Sequence, residues 1–370
     1  MALRIPYIDL AAQHRPLREE ILKAVGGVLA SGQFILGEET ELFEKEFAKL
    51  HAAKHAIGVN SGTDALILAL KCLGIGVGDE VITAPNSYLA SASCIALAGA
   101  TPKFADVRPD MNLDPVAVGR AITPRTRAII PVHLTGKPAP MKELQAVAKK
   151  HGVEVIEDAA QAVGAKLAGQ PVGTFGRIGC FSLHPLKNLN ACGDGGMIVT
   201  NNDAIAQRAK LLRSHGQPNR NDCLEFSMVS RLDSVQAAIL RVKLRHLEGV
   251  TAKRRANAEQ YRRRLMGCSR LQCPTEAPGE FCVYHTFVVQ ADKRGELVRY
   301  LESRGIGTAI HYPTPIHLMT VGRKLGHKPG DFPECERQAG RILSLPIYPE
   351  LTSAQIDEVV DAVLDFYKAN

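Results

Sequence analysis

Between about residues 55 and 200, short apolar runs alternate with stretches of helical character. His55–Val59, Glu80–Ala84, Pro102–Asp106, Ala128–Val132 and Val153–Asp158 read as strands. Ala65–Leu73, Ser91–Ala98, a segment from about Pro115, and Met141–His151 read as the helices between them. Strands that are apolar on both faces and trade places with helices predict an α/β fold, a parallel sheet covered by helices on both sides. Such sheets bind ligands at the carboxyl ends of their strands. Asn60, Asp106, His133 and Asp158 lie at or just past such ends.

After about residue 200 the pattern changes. Ala204–Arg213 and Leu232–Met266 read as helices, the second long and charged. A smaller α+β unit follows, with strands at Tyr284–Gln290 and Gly307–His311, a helix at Gly295–Arg304 and a terminal helix from Ser353. The chain opens with a helix at Leu17–Ala30 and a loop at Ser31–Gly37. This predicts an N-terminal arm (1–50), a large domain (51–245) and a small C-terminal domain (246–370), with the arm packed on the C-terminal unit or on a second subunit.

Composition narrows the class. A chain of 370 residues can bury a large core, and 45% hydrophobic content with dispersed Gly and Pro reads as globular. No apolar run approaches the ~20 residues of a membrane span, and the N-terminus lacks a signal-peptide layout, so a cytoplasmic protein is expected. Nine cysteines without C-x-x-C pairs argue against a disulfide framework and a structural zinc site; Cys180 and Cys192 read as small buried filler. The net charge of +7 suits an anionic cofactor or substrate. Basic runs such as Lys253–Arg255 and Arg262–Arg264 read as solvated helix faces and not as a nucleic-acid site.

The chemistry concentrates around Lys187, set in the apolar, Gly-rich stretch Gly179–Gly196. Desolvation lowers an amine's pKa and frees its lone pair for a Schiff base. Asp158, 29 residues earlier, ends an apolar strand. A Schiff-base lysine and an aspartate for a pyridinium nitrogen are the equipment of a pyridoxal phosphate (PLP) enzyme. Taken alone, the same residues fit a turn lysine and a helix-capping aspartate. Asn60–Asp64 follows a strand and opens a helix, so Gly62 and Thr63 could cradle a phosphate, or Ser61 or Thr63 could simply cap. Tyr88, past another strand end, could stack on a flat ring or be an ordinary half-buried tyrosine. Gln161 could bond a ring oxygen, and Ser182 a phosphate. His311–His317 holds two histidines and a tyrosine between prolines; without a third ligand at suitable spacing it reads as a rigid substrate-contacting loop and not as a metal site.

In order, Gly32–Gly37, Ser61–Thr63, Gly78–Thr83, Ala98–Pro102, Pro131–His133, Glu157–Gln161, Phe181–Ser182, Lys187, Gly193–Gly196, Ser230–Leu232, Gln236–Ala238 and Ser344–Tyr348 resemble the DegT/StrS family of PLP-dependent sugar aminotransferases. The resemblance spans nearly the whole chain. It implies a type I PLP-transferase fold (the aspartate-aminotransferase type) with a mostly parallel central sheet and a smaller C-terminal α+β domain. It also implies a homodimer with shared active sites. By match, Lys187 is the Schiff-base and proton-shuttling lysine, Asp158 faces the pyridine nitrogen and Gln161 the phenolic oxygen. Tyr88 stacks on the ring, and Gly62, Thr63 and Ser182 hold the phosphate. Phe34, His133, His184, His311, Tyr312 and His317 are the expected substrate contacts. Some relatives carry histidine at the lysine position and act as sugar dehydratases; Lys187 argues against that chemistry.

Two positions depart from the family pattern. Val229 stands where an asparagine is expected to reach the partner subunit's cofactor phosphate; either Ser230 or a nearby group such as Asn221 substitutes, or the phosphate has one ligand fewer. Thr135 stands where relatives often have tyrosine. The implied activity moves an amino group from L-glutamate to a keto-sugar, nucleotide-linked and aminated at C3. A sugar without a nucleotide, such as an oxidised keto-deoxyoctulosonate, stays open, as does a non-catalytic PLP-binding regulator. A PLP lyase or desulfurase would need Cys192 as a nucleophile.

Overall fold

The computed structural model describes residues 3–369. Its central sheet has seven strands: β1 (His55–Val59), β2 (Glu80–Thr83), β3 (Thr101–Phe104), β4 (Thr126–Ile130), β5 (Glu154–Asp158), β6 (Ile178–Ser182) and β7 (Gly196–Thr200). They lie in the order β1-β7-β6-β5-β4-β2-β3, and β7 runs against the other six. The five strands expected from the apolar runs are present with ends moved by one or two residues. β7 escaped notice because its apolar core, Met197–Val199, is only three residues long and follows a glycine turn.

The helix Gly62–Cys72 starts at the carboxyl end of β1. Ser61 Oγ accepts the Asp64 N–H at 3.1 Å, which satisfies one of the free donors at the helix start. Ala65–Leu70 are all buried, so this helix lies inside the molecule against β6 and β7. Burying Leu66, Leu68 and Leu70 stabilises the fold by about 1.5–3 kcal/mol each.

A second, three-stranded sheet joins Leu271–Gln272, Phe287–Ala291 and Ile342–Leu345. The helices Arg294–Ser303, Leu247–Leu265 and Ser353–Ala369 contribute Leu297, Leu301, Tyr261, Val359, Val363 and Phe366 to its core. Tyr261 stacks on Phe287 with centroids 5.0 Å apart. Ile5 is part of the same core and bridges Ile306, so the start of the chain is stitched to this unit. The helix Arg18–Ser31 instead places Ile21 against Ile239 and Val242.

Several expectations are corrected. The long helix at 232–266 is two helices, Ser234–Leu244 and Leu247–Leu265, because the first packs on the N-terminal helices and the second turns to cover the C-terminal core. The strand begins at Phe287 and not at Tyr284, since Tyr284 has a left-handed φ of 45°. Gly307–His311 is not a strand; Ala309 makes one isolated bridge to Ser344. Arg254, expected on a solvated face, is 3% exposed, and Cys192, expected to be buried, is exposed. No helix among the described residues is long and apolar enough to cross a membrane.

Candidate active site

A cavity of about 410 Å³ opens at the carboxyl ends of β1, β2, β5 and β6, and residues from the C-terminal unit and the N-terminal segment close it. Lys187, Asp158, Gly62, Thr63, Tyr88, Gln161, Ser182, His184, His311 and Tyr312 all line it. Residues scattered over 250 positions thus converge on one space.

Lys187 lies in the turn after β6, where its N–H donates to the His184 carbonyl at 2.8 Å. Burial lowers its amine to a pKa of about 8, while the Asp158 charge pulls the other way. About a tenth is therefore free amine at pH 7, some hundredfold more than for an ordinary lysine, which makes it available as a nucleophile. Asp158 ends β5, and its backbone is pinned to the segment just past β4 through Asp158 N–H to Pro131 O at 2.9 Å and His133 N–H to Asp158 O at 3.0 Å. Its Oδ1 accepts from Ala160 N–H at 3.1 Å and its Oδ2 from the Ser91 hydroxyl at 2.7 Å. Gln161 is fixed from behind: its Oε1 accepts the Thr135 N–H at 2.7 Å. The tight turn that aims this N–H gives Thr135 a φ of 63°. With the carbonyl occupied, the Gln161 amide is the end left to donate, and Tyr312 Oη lies 3.5 Å from it.

The phosphate cradle is equally shaped. Gly62 sits so close to Ser182 that a Cβ on it would lie 2.7 Å from the Ser182 Cβ. A Cβ on Gly196 would fall 2.2 Å from the Ser61 carbonyl oxygen. Glycine is required at both places to keep the first turn of the helix and the end of β6 apart by backbone only. Free N–H groups at that helix start form an anion site.

Four expected contacts lie elsewhere. His133 is fully buried behind β5; its Nδ1 accepts from Ala139 N–H at 2.9 Å, which leaves Nε2–H to donate to Glu157 Oε2 at 2.9 Å. His317 is also fully buried, 2.9 Å from Glu336 Oε1 and packed on Phe332. Both rings are held by structural partners outside the cavity lining. Phe34 is exposed and also outside that lining; its carbonyl accepts from Ser234 N–H. Ser230 does not reach the cavity. It is fully buried, donates to Asp64 Oδ2 at 2.8 Å and accepts from Asn60 N–H at 3.1 Å, so it braces the start of the phosphate helix.

Other lining residues were missed by the sequence reading. Tyr7, Ser87, Ser91, Asp194, Arg254, His285 and Tyr348 belong to the wall. Arg254 Nη1 holds the carbonyls of Tyr284, His285 and Ile347 at 3.1–3.3 Å. Burial keeps His285 and His311 neutral, with the Lys187 charge adding to the effect; His311 falls to about 4. Only a Tyr-His pair at the edge of a strand signalled His285 in the sequence.

The family model for the DegT/DnrJ/EryC1/StrS aminotransferase family matches residues 16–364. The chain belongs to this family. It is 43% identical over 98% of its length to 96% of a dTDP-3-amino-3,4,6-trideoxy-alpha-D-glucose transaminase from Streptomyces venezuelae. It is 44% identical over 97% of both chains to a UDP-N-acetyl-3-dehydro-alpha-D-glucosamine 3-aminotransferase from Acidithiobacillus ferrooxidans. A pleiotropic regulatory protein from Geobacillus stearothermophilus is 43% identical, with 99% of both chains covered. Among solved structures, S. venezuelae DesV in complex with a ketimine intermediate superposes with a TM-score of 0.96 at 43% identity, with 99% of both chains covered. The fold is that of PLP-dependent aminotransferases, and the chain is a sugar aminotransferase whose cofactor is PLP. The desolvated Lys187, the acceptor-only edge of Asp158 and the Gly62 cradle fit that cofactor.

Proposed function

We propose that this enzyme converts a nucleotide-linked 3-keto-sugar to the 3-amino sugar, with L-glutamate as amino donor, in the cytoplasm. The product would serve surface polysaccharide or glycosylated natural-product synthesis. The observation that carries the reading is the convergence of Lys187, Asp158, Gln161 and the Gly62 cradle on one cavity, in a chain whose relatives are named for amination at C3. When bound, PLP carries the amino group between donor and acceptor and draws electrons from the carbon that loses its proton.

The chain's own residues divide the work. Gly62, Thr63 and Ser182 bind the phosphate at the helix start. Tyr88 covers one face of the ring, and its half-exposed side chain lies 5.6 Å from the Tyr312 ring, centroid to centroid. Asp158 holds a proton on the ring nitrogen, and the Gln161 amide donates to the phenolic oxygen. Lys187 Nζ takes a proton from the donor carbon and returns one when the sugar is bound, a role its pKa of about 8 suits. His184, His311 and Tyr312 contact the sugar. His311, neutral and tied through Nδ1 to Ser344 Oγ at 2.8 Å, leaves Nε2 for a sugar hydroxyl. Val229 is half-exposed and Asn221 exposed, which makes Asn221 the better candidate to reach a partner subunit's phosphate in a homodimer.

The test is to load the enzyme with PLP and follow its absorbance against a panel of amino sugars, free and nucleotide-linked, aminated at different carbons. Conversion to the pyridoxamine form by a nucleotide-linked 3-amino sugar is expected. Conversion only by a free sugar, or only by one aminated at another carbon, would replace the acceptor named above. No response to L-glutamate would remove it as donor.

A further inference from the structure

Beside Asp158 a pair of hydroxyls, hardly exposed, runs along the cavity wall. Ser91 Oγ lies 2.7 Å from Asp158 Oδ2 and 2.8 Å from Ser87 Oγ. Asp158, Ser91 and Ser87 are 4%, 1% and 3% exposed, so bulk water does not compete for these bonds. A carboxylate only accepts, so the Ser91 proton points at Asp158. Ser91 has one proton to give. With it committed, the contact to Ser87 must run from the Ser87 hydroxyl to the Ser91 oxygen.

With Asp158 ionised, the direction Ser87 to Ser91 to Asp158 is therefore set by donor counting, and reversing it has a cost. If Asp158 were protonated on Oδ2 and donated to Ser91, Ser91 would have to donate to Ser87. The Ser87 proton would then have no acceptor among the described residues, where Ser91 is its one recorded partner. A buried hydroxyl without an acceptor costs about 1–3 kcal/mol. The wiring thus favours the ionised carboxylate.

The other groups facing Asp158 are the Ala160 N–H, which donates to Oδ1 at 3.1 Å and favours the ionised form as well, and several side chains from neighbouring elements. Cys94, on the same helix as Ser91, and Cys180, on β6, are held as neutral thiols, by burial first and by the Asp158 charge second. Tyr312 is likewise held neutral by burial, with Asp158 adding to it. Lys187 is the cation that faces the carboxylate, and it is the group whose charge must come and go during turnover.

We propose that Ser91, backed by Ser87, is a positioning residue that holds Asp158 ionised and so keeps the proton on the ring nitrogen of bound PLP. This rests on the reading that Asp158 faces that nitrogen. Removing the hydroxyl makes the carboxylate a stronger base, and the shared proton moves from the ring nitrogen towards Asp158.

The test compares Ser91→Thr with Ser91→Val, which have nearly the same shape and differ by the hydroxyl. Each holoenzyme is loaded with PLP labelled with 15N in the ring, and its nitrogen chemical shift is read together with the rate of the half-reaction with L-glutamate. The Thr variant is expected to keep the parent shift. The Val variant is expected to move towards the unprotonated pyridine value and to slow about tenfold or more, as befits loss of a hydrogen bond to a charged group. Identical shifts and rates for the two variants would overturn the proposal. Asp158→Asn is the control. If it too leaves the shift unchanged, Asp158 does not face the nitrogen, and the site assignment fails ahead of the relay. Should the Val variant not load PLP, the apoproteins decide by 13C titration of the Asp158 carboxyl: a higher midpoint in Val than in Thr supports the relay, and equal midpoints overturn it.

Discussion

At Lys187, burial and charge oppose each other, and burial wins, leaving the amine at about 8. The sign of the pH dependence follows. Below pH 8 the amine is protonated in both folded and unfolded chains, and the full cost of burying an ammonium is present. Between 8 and its ordinary 10.5 the folded chain has released the proton while the unfolded chain has not, so the cost shrinks and then vanishes. Apoprotein carrying Lys187→Met is therefore expected to melt above the parent at pH 7, with the gap closing as pH rises towards 10. Scanning calorimetry across that range reads it directly. In turnover, Lys187→Ala should lose on the order of 10²–10⁴-fold or more in rate, as expected when a general base is removed. Single-turnover kinetics with L-glutamate check this. Lys187 and Asp158 were legible in the sequence because their chemistry demands particular residue types at strand ends. Ser91 was not, since a serine in Ala90–Ser93 reads as helix packing. Arg254 was hidden for the opposite reason: two basic neighbours, Lys253 and Arg255, made a buried cation look like part of a solvated face.

Elements were legible where one face or one run carried the pattern. Five strands of the central sheet and most helices could be read from apolar spacing, because each buries its own residues. The break between Leu244 and Leu247 could not, because it depends on two different cores pulling on adjacent turns. His133 was misread for a related reason. It lies past the end of β4, where ligands bind, yet the ring turns away from the cavity to Glu157, whose carboxylate also accepts from Gly173 and Gly176 N–H groups. Replacing His133 by Ala should cost about 1–3 kcal/mol by leaving the Ala139 N–H and one Glu157 site unpaired. Urea denaturation should show that loss while the KM for the sugar stays at the parent value; a raised KM with unchanged stability would return His133 to the binding site. Gly62→Ala is the complementary case. The added Cβ pushes on Ser182 and should weaken PLP by about 1–3 kcal/mol, an overpacking cost, as read by spectrophotometric titration of the apoenzyme.

At the scale of the molecule, one segment leaves three apolar side chains in solvent within six residues. Phe226 is 94% exposed, and Leu224 and Val229 lie beside it in sequence, largely uncovered. Exposed apolar side chains gathered in one segment suit an interaction surface, and a second copy of the chain fits the shared-site arrangement proposed above. Sedimentation is expected to show a dimer for the parent and a shift to monomer at low micromolar concentration for Phe226→Asp. A parent that sediments as a monomer would remove the proposed dimer. Within one chain, the bridge from Ile5 to Ile306 has a consequence for how the enzyme comes into being. Tyr7 and Ile8 reach the cavity only because Ile5 is anchored to a segment synthesised some three hundred residues later. A nascent chain can complete β1 to β7 on the ribosome and still lack one wall of its active site. The Ile5–Ile8 segment must wait, without its partner, until Ile306 has emerged, so the pocket can close only after that later part of the C-terminal unit is made.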